Sequence, residues 1–208
     1  MLKKLIVLSG LVLISFNLFA QQEDVYRLMD DAKDYYKSQK YREAAASLQE
    51  AINKINDIIG EQILKGLPPT INGMAYDKSN DNVTSLGTLM GAGMTAQRVY
   101  VNEKGETVTV QITPNDPMVE NLITFISNPQ DYGTESDAGK VIKMNEDMKA
   151  LCKFLNTEQQ YLAYLQMPFY TSKIVFEGSG FKKEEDFVKA CQQINWEKLA
   201  EVMGYKQK

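Results

Sequence analysis

Two spacings of apolar residues divide the chain. Between residues 23 and 64, apolar and aromatic side chains recur every three or four positions. They are Val25, Leu28, Met29, Ala32, Tyr35 and Tyr36, then, after the polar Ser38-Gln39-Lys40, Tyr41, Ala44, Ala45, Leu48, Ala51, Ile52, Ile55, Ile58 and Ile59. That spacing gathers side chains on one face of a helix, and only Gly60 interrupts the run, so it predicts a helical hairpin. Tyr35, Tyr41 and Leu48 are expected to fill the space between the helices, with Ala32 and Ala44 allowing close approach. Gly66-Leu67-Pro68-Pro69 ends the helical pattern, because proline cannot continue a helix and holds its predecessor extended.

Beyond the prolines the spacing becomes two. Residues 74–77, 95–102 and 106–113 read as strands, with polar turns at 78–82 and at Glu103-Lys104-Gly105. Asp116-Pro117 opens a predicted helix, Asp116 as its N-cap and Pro117 at its first position, with Met118, Leu122, Ile123, Phe125 and Ile126 on the buried side. Further strands are expected at 140–144, 148–155, 160–167 and 173–177, with 168–172 separating the last two. Helices follow at 182–193 and 196–203. The fold class is therefore α+β: a helical hairpin at 21–66, then an antiparallel-sheet domain at 67–208 with helices packed on one side.

The first twenty residues read as a secretory signal. Lys3 and Lys4 precede the apolar run from Leu5 to Leu18, and Ala20 stands before Gln21. The run spans about fourteen residues, short of the ~20 that cross a bilayer, and Cys152 is the first cysteine. The expectation is a periplasmic or secreted protein cut near Ala20-Gln21, with no transmembrane segment in the mature chain. Loss of Lys3 and Lys4 makes the formal charge of -4 two units more negative, and no basic stripe suited to nucleic acid is visible.

Composition narrows the chemistry further. The chain has no histidine, which removes Ser-His-Asp and Cys-His centres and the commonest metal ligand. Neither a cofactor nor a metal site is expected. The two cysteines, Cys152 and Cys191, admit either a disulfide in an oxidising compartment or two buried thiols, and spacing does not choose between them.

Three groups stand out as binding candidates. Met90, Gly91, Gly93 and Met94 belong to a glycine-methionine stretch suited to close, adaptable apolar contact. Arg98 and Tyr100 share one side of a strand and form either an anion-recognition patch or an ion pair with a neighbouring acid. Lys33, Lys37 and Arg42 lie on the exposed side of the hairpin. Glu184, Glu185 and Asp186 open a helix and complement its dipole.

In order, the Ala-rich hairpin, Leu67-Pro68-Pro69, Ala96-Gln97-Arg98-Val99-Tyr100, Asp116-Pro117-Met118 and Glu177-Gly178-Ser179-Gly180 resemble a group of uncharacterised exported bacterial proteins. Ala32, Tyr35, Tyr41, Ala44, Leu48 and Ala51 resemble one tetratricopeptide unit, and the second part looks like exported domains of the Mog1/PsbP type. Gly73-Met74 stands where the pattern has Gly-Trp. The resemblance implies a binding or assembly module and no residue-level activity. The expected function is a non-enzymatic protein-interaction module whose partner is another envelope protein. Alternatives are a periplasmic small-ligand binder and a histidine-independent carboxylate hydrolase.

Overall fold

The computed structural model describes residues 23–85, 93–128, 139–156 and 161–205. The protein has an α+β fold, a helical pair followed by a large antiparallel sheet with helices. It divides into two compact units between Ile58 and Ile59.

In the first unit, helix α1 (residues 23–37) is joined through Ser38-Gln39-Lys40 to helix α2 (Tyr41–Gly66). The turn is held by Lys40 N–H donating to Tyr35 O at 2.9 Å, with Gln39 in the left-handed region at φ 60°. The buried positions here are Leu28, Ala32, Ala44 and Ala51, and three of the four are alanine. Small residues let helices approach closely, so little apolar volume is taken up between them. Tyr35, Tyr41 and Leu48, expected in that space, are exposed instead.

The division falls inside α2, ahead of the boundary expected at Gly66-Pro69. The reason is that Ile63, Leu64 and Leu67 belong to the core of the second unit. Gly60 marks the start of that contact: a Cβ on it would lie 2.4 Å from Val83 Cγ1 and 2.9 Å from the Met94 Cε.

The second unit is one antiparallel sheet of nine strands among the described residues. The strands are β1 (Thr70–Ile71), β2 (Met74–Tyr76), β3 (Asn82–Ser85), β4 (Met94–Val101), β5 (Thr107–Thr113), β6 (Lys140–Lys143), β7 (Lys149–Asn156), β8 (Tyr161–Phe169) and β9 (Ser172–Ser179). Their spatial order is β1-β2-β4-β5-β9-β8-β7-β6, and β3 pairs with β4. Strands β2 and β3 lie end to end along β4, separated by a 3-10 turn at Lys78–Asn80 that Asp77 caps. Two meanders meet at the β5–β9 pairing, in register Val110↔Phe176.

Alternate residues face opposite sides. Ala96, Tyr100, Val108, Val110, Ile112, Leu165, Met167, Ile174 and Phe176 form the main core with the end of α2, helix α4 (Glu184–Cys191) and helix α5 (Trp196–Val202). Helix α3 (Val119–Ser127) makes a smaller cluster through Leu122 and Ile126 with Leu151, on the other face from the neighbouring Ala150 and Cys152.

Local expectations differ from the structure in several places, and β1 and β3 form where no strand is expected. Asp116 does not cap α3 directly; its Oδ1 accepts from Met118 N–H at 2.7 Å in a turn before the helix, whose buried residues are Val119, Leu122 and Ile126. Met118 and Ile123, expected inside, are exposed. Pro168 and Phe169 belong to β8, leaving only Tyr170-Thr171 as the turn to β9. Proline is accommodated because Pro168 lies past Gln166, the last β8 residue paired with β7.

Candidate functional site

Each unit carries one surface suited to recognition. On the hairpin it is a stripe of apolar side chains left unburied by its own fold. Tyr26, Met29 and Tyr36 on α1, and Tyr41, Leu48, Ile52 and Ile55 on α2, are each between 40% and 68% exposed. At about 100° per residue, the α1 stripe lies roughly a quarter-turn from the Leu28/Ala32 seam, in the direction of chain advance. The α2 stripe is displaced from Ala44/Ala51 in the same sense. Because the two helices of a hairpin run antiparallel, displacements of one sense bring both stripes to the same side. The edge-to-face contact of Tyr36 with Tyr41, centroids 5.5 Å apart, closes this surface at the turn.

Within the second unit, a cleft of about 330 Å³ opens at one end of the sheet. Three short segments build it. Asn145 Oδ1 accepts from Asp147 N–H at 3.0 Å and Met148 N–H at 2.7 Å, shaping the β6–β7 turn. The β8–β9 hairpin supplies Pro168, Phe169 and Tyr170, and the first turn of α5, capped by Asn195, supplies Trp196 and Glu197.

Aromatic contacts hold this wall in place. Tyr170 is bulky yet sits in the left-handed region at φ 55°, and its ring stacks on Tyr205 at 4.2 Å. Phe169 packs against Trp196 at 5.6 Å, and the Tyr205 hydroxyl bonds to Ser172 Oγ at 2.7 Å. The cleft lining includes the exposed carboxylates of Asp147 and Glu197 and no basic side chain.

The chain matches no known family model, no curated protein sequence and no solved structure.

The sequence candidates fall into different environments. Met90 and Gly91 lie outside the described residues. Gly93 is exposed at the start of β4, whereas Met94 is buried in the main core, because β4 turns its side chain inward beside Gly60. Arg98 and Tyr100 do share a face, and it is the buried one. Arg98 Nε donates to Asp81 Oδ1 at 2.8 Å, its Nη1 donates to Leu67 O at 3.3 Å, and the guanidinium lies 3.9 Å over the Tyr76 ring. Tyr100 donates its hydroxyl to Pro68 O at 2.7 Å. Those donors bind the Leu-Pro-Pro segment to the sheet, so the pair is an internal ion-pair site rather than an open anion patch.

Electrostatics agree with that placement. Burial opposes the Arg98 charge, but the hydrogen bond and charge of Asp81 outweigh it and raise the pKa. Burial pushes the Tyr100 hydroxyl up to about 12. Cys152 and Cys191 are both free, buried thiols, the second of the two alternatives open to the sequence, and no bridge joins them. Burial raises Cys152 to about 12 and Cys191 well above its ordinary value, which makes both poor nucleophiles.

Lys33, Lys37 and Arg42 are exposed, Lys37 lying 3.5 Å from Asp34. The acids of α4 occupy its first turn, and Glu184 pairs with Lys140 at 2.9 Å. Among the described residues no group of three or more His, Cys, Asp or Glu is arranged to hold a metal, and no helix is long and apolar enough to cross a membrane. Sequence reasoning missed the cleft. Phe169-Tyr170 beside Pro168, and the only tryptophan, were its visible signals, but their convergence depends on three separated segments.

Proposed function

We propose that the protein is an exported, non-enzymatic interaction module of the bacterial envelope, with the apolar side of its hairpin as the docking surface. The supporting observation is the exposed stripe through Tyr41, Leu48, Ile52 and Ile55. Scattered surface apolar residues are ordinary, but a row of them along one side of α2, beside Tyr26, Met29 and Tyr36 on α1, marks a contact surface. A photoactivatable phenylalanine analogue in place of Leu48 or Ile52, in the full chain expressed in an exporting bacterial host, tests this. Covalent adducts are expected from both positions and not from Glu50 on the opposite side. Absence of any adduct at Leu48 and Ile52 defeats the reading.

The cleft favours a second reading, a small-ligand binder. Its aromatic wall with two carboxylates suits an organic cation with an apolar body, since ring faces and carboxylates both attract positive charge. Trp196 is the only tryptophan, so its fluorescence reports on the cleft directly. Titration with aryl and alkyl quaternary ammonium compounds should change that emission saturably, and Glu197→Gln should weaken the effect. An emission unchanged by every such cation removes this reading.

A further inference from the structure

The positions Tyr41, Ala45, Leu48, Ile52 and Ile55 advance by four, three, four and three residues, and all five are exposed. This is the spacing of a two-helix seam, with Ala45 and Ile52 at a positions and Tyr41, Leu48 and Ile55 at d positions. We infer that the stripe is a self-association surface on which the hairpins of two copies of this chain pair into a four-helix bundle. The inference rests on the hairpin being the docking surface and names its partner.

Charge and area both fit a second copy. In this register the positions flanking the seam are Ala44, Ala51 and Ile58 on one side and Arg42, Gln49 and Asn56 on the other. Only Arg42 is charged, whereas Glu43, Glu50 and Asp57 share the opposite side of the helix. Along α2, two identical seams therefore meet without a ladder of like charges, and on α1 the single Lys33 lies among Tyr26, Met29 and Tyr36 with charges of both signs, Asp30 and Lys37, at the rim. The seven exposed apolar side chains average about half exposure, which at roughly 100 Å² each offers roughly 700 Å² per copy, close to the ~800 Å² per partner of a stable complex.

Sedimentation velocity of the full mature chain over a range of concentrations tests the inference. A reversible dimer is expected, and Leu48→Lys with Ile52→Lys should weaken association at least about 100-fold with an unchanged circular dichroism spectrum. Leu48 lies at the middle of the Tyr41–Ile55 stripe, so Leu48→Cys should oxidise to a covalent dimer whether the paired helices run parallel or antiparallel. Glu50→Cys should not. A wild-type chain that stays monomeric at the highest concentration, together with no Leu48→Cys dimer, overturns the inference. If the photo-cross-linker at Leu48 then captures a different protein, the docking surface survives and only the identity of its partner fails; if it captures nothing, both fail.

Discussion

At the scale of single residues, the buried polar groups are completed by partners inside the fold. Among the described residues no buried side-chain nitrogen or oxygen lacks a hydrogen-bond partner. Arg98 and Asp81 are the clearest case, both nearly removed from water. Asp81→Ala should cost about 3–5 kcal/mol in urea denaturation, because it strands a buried guanidinium. Exchanging both residues for apolar ones should cost less than that single change; a double exchange as damaging as the single one argues against the pair as the origin of the loss.

Titration belongs to the same scale. Tyr100 and Cys152 are pushed up to about 12 from ordinary values of 10.0 and 9.0, so the native chain holds protons that the unfolded chain releases. Their stabilising contribution is complete below about pH 9 and declines as pH rises toward 12. The urea midpoint should be insensitive to these groups between pH 7 and 8 and should fall by pH 11, with a shallower fall in Cys152→Ala. Thiol reagents should label neither cysteine before unfolding.

At the scale of elements, close approach governs how helices seat on the sheet. Gly178 in β9 lies beneath Phe187 of α4, and a Cβ there would stand 2.5 Å from the ring and 3.2 Å from the Ala163 Cβ. Gly178→Ala should therefore destabilise by about 1–3 kcal/mol through overpacking, measured as a lower denaturation midpoint with an unchanged slope. An unaltered midpoint would mean that α4 shifts freely, contrary to a ring fully buried between α4 and the sheet. The α1–α2 hairpin uses the same device with a different result. Alanines at its seam bring the helices together and leave the large side chains outside, where they become available to a partner.

For the molecule as a whole, the end of α2 belongs to the sheet unit. A fragment of residues 59–208 should unfold cooperatively by heat. A fragment of residues 67–208 lacks Ile63 and Leu64, both buried in the main core. Burying side chains of that size contributes about 1.5–3 kcal/mol each, so the shorter fragment should melt at a clearly lower temperature or aggregate. Equal melting temperatures for the two would place the boundary at the prolines after all.

The hairpin, the strands between residues 74 and 177 other than β3 and the α+β class were legible because helix and strand spacings differ, and because Pro68-Pro69, Glu103-Lys104-Gly105 and Asn145 carry local turn chemistry; β3, Asn82–Ser85, is short and polar and gave no such signal. The shared face of Arg98 and Tyr100 was legible for the same reason, since strand alternation is a property of the backbone. Which face becomes the core was not. Arg98 reads as polar from its side chain alone, and only Asp81, Leu67 and Tyr76, brought up from elsewhere in the chain, make its burial favourable. Tyr41 and Leu48 read as core from their type, yet the alanine seam leaves them outside. The cleft needs Asp147, Tyr170 and Trp196 to meet across three turns. Periodicity is local and survives in the sequence, whereas burial, ion pairing and cleft formation are long-range choices made by tertiary packing.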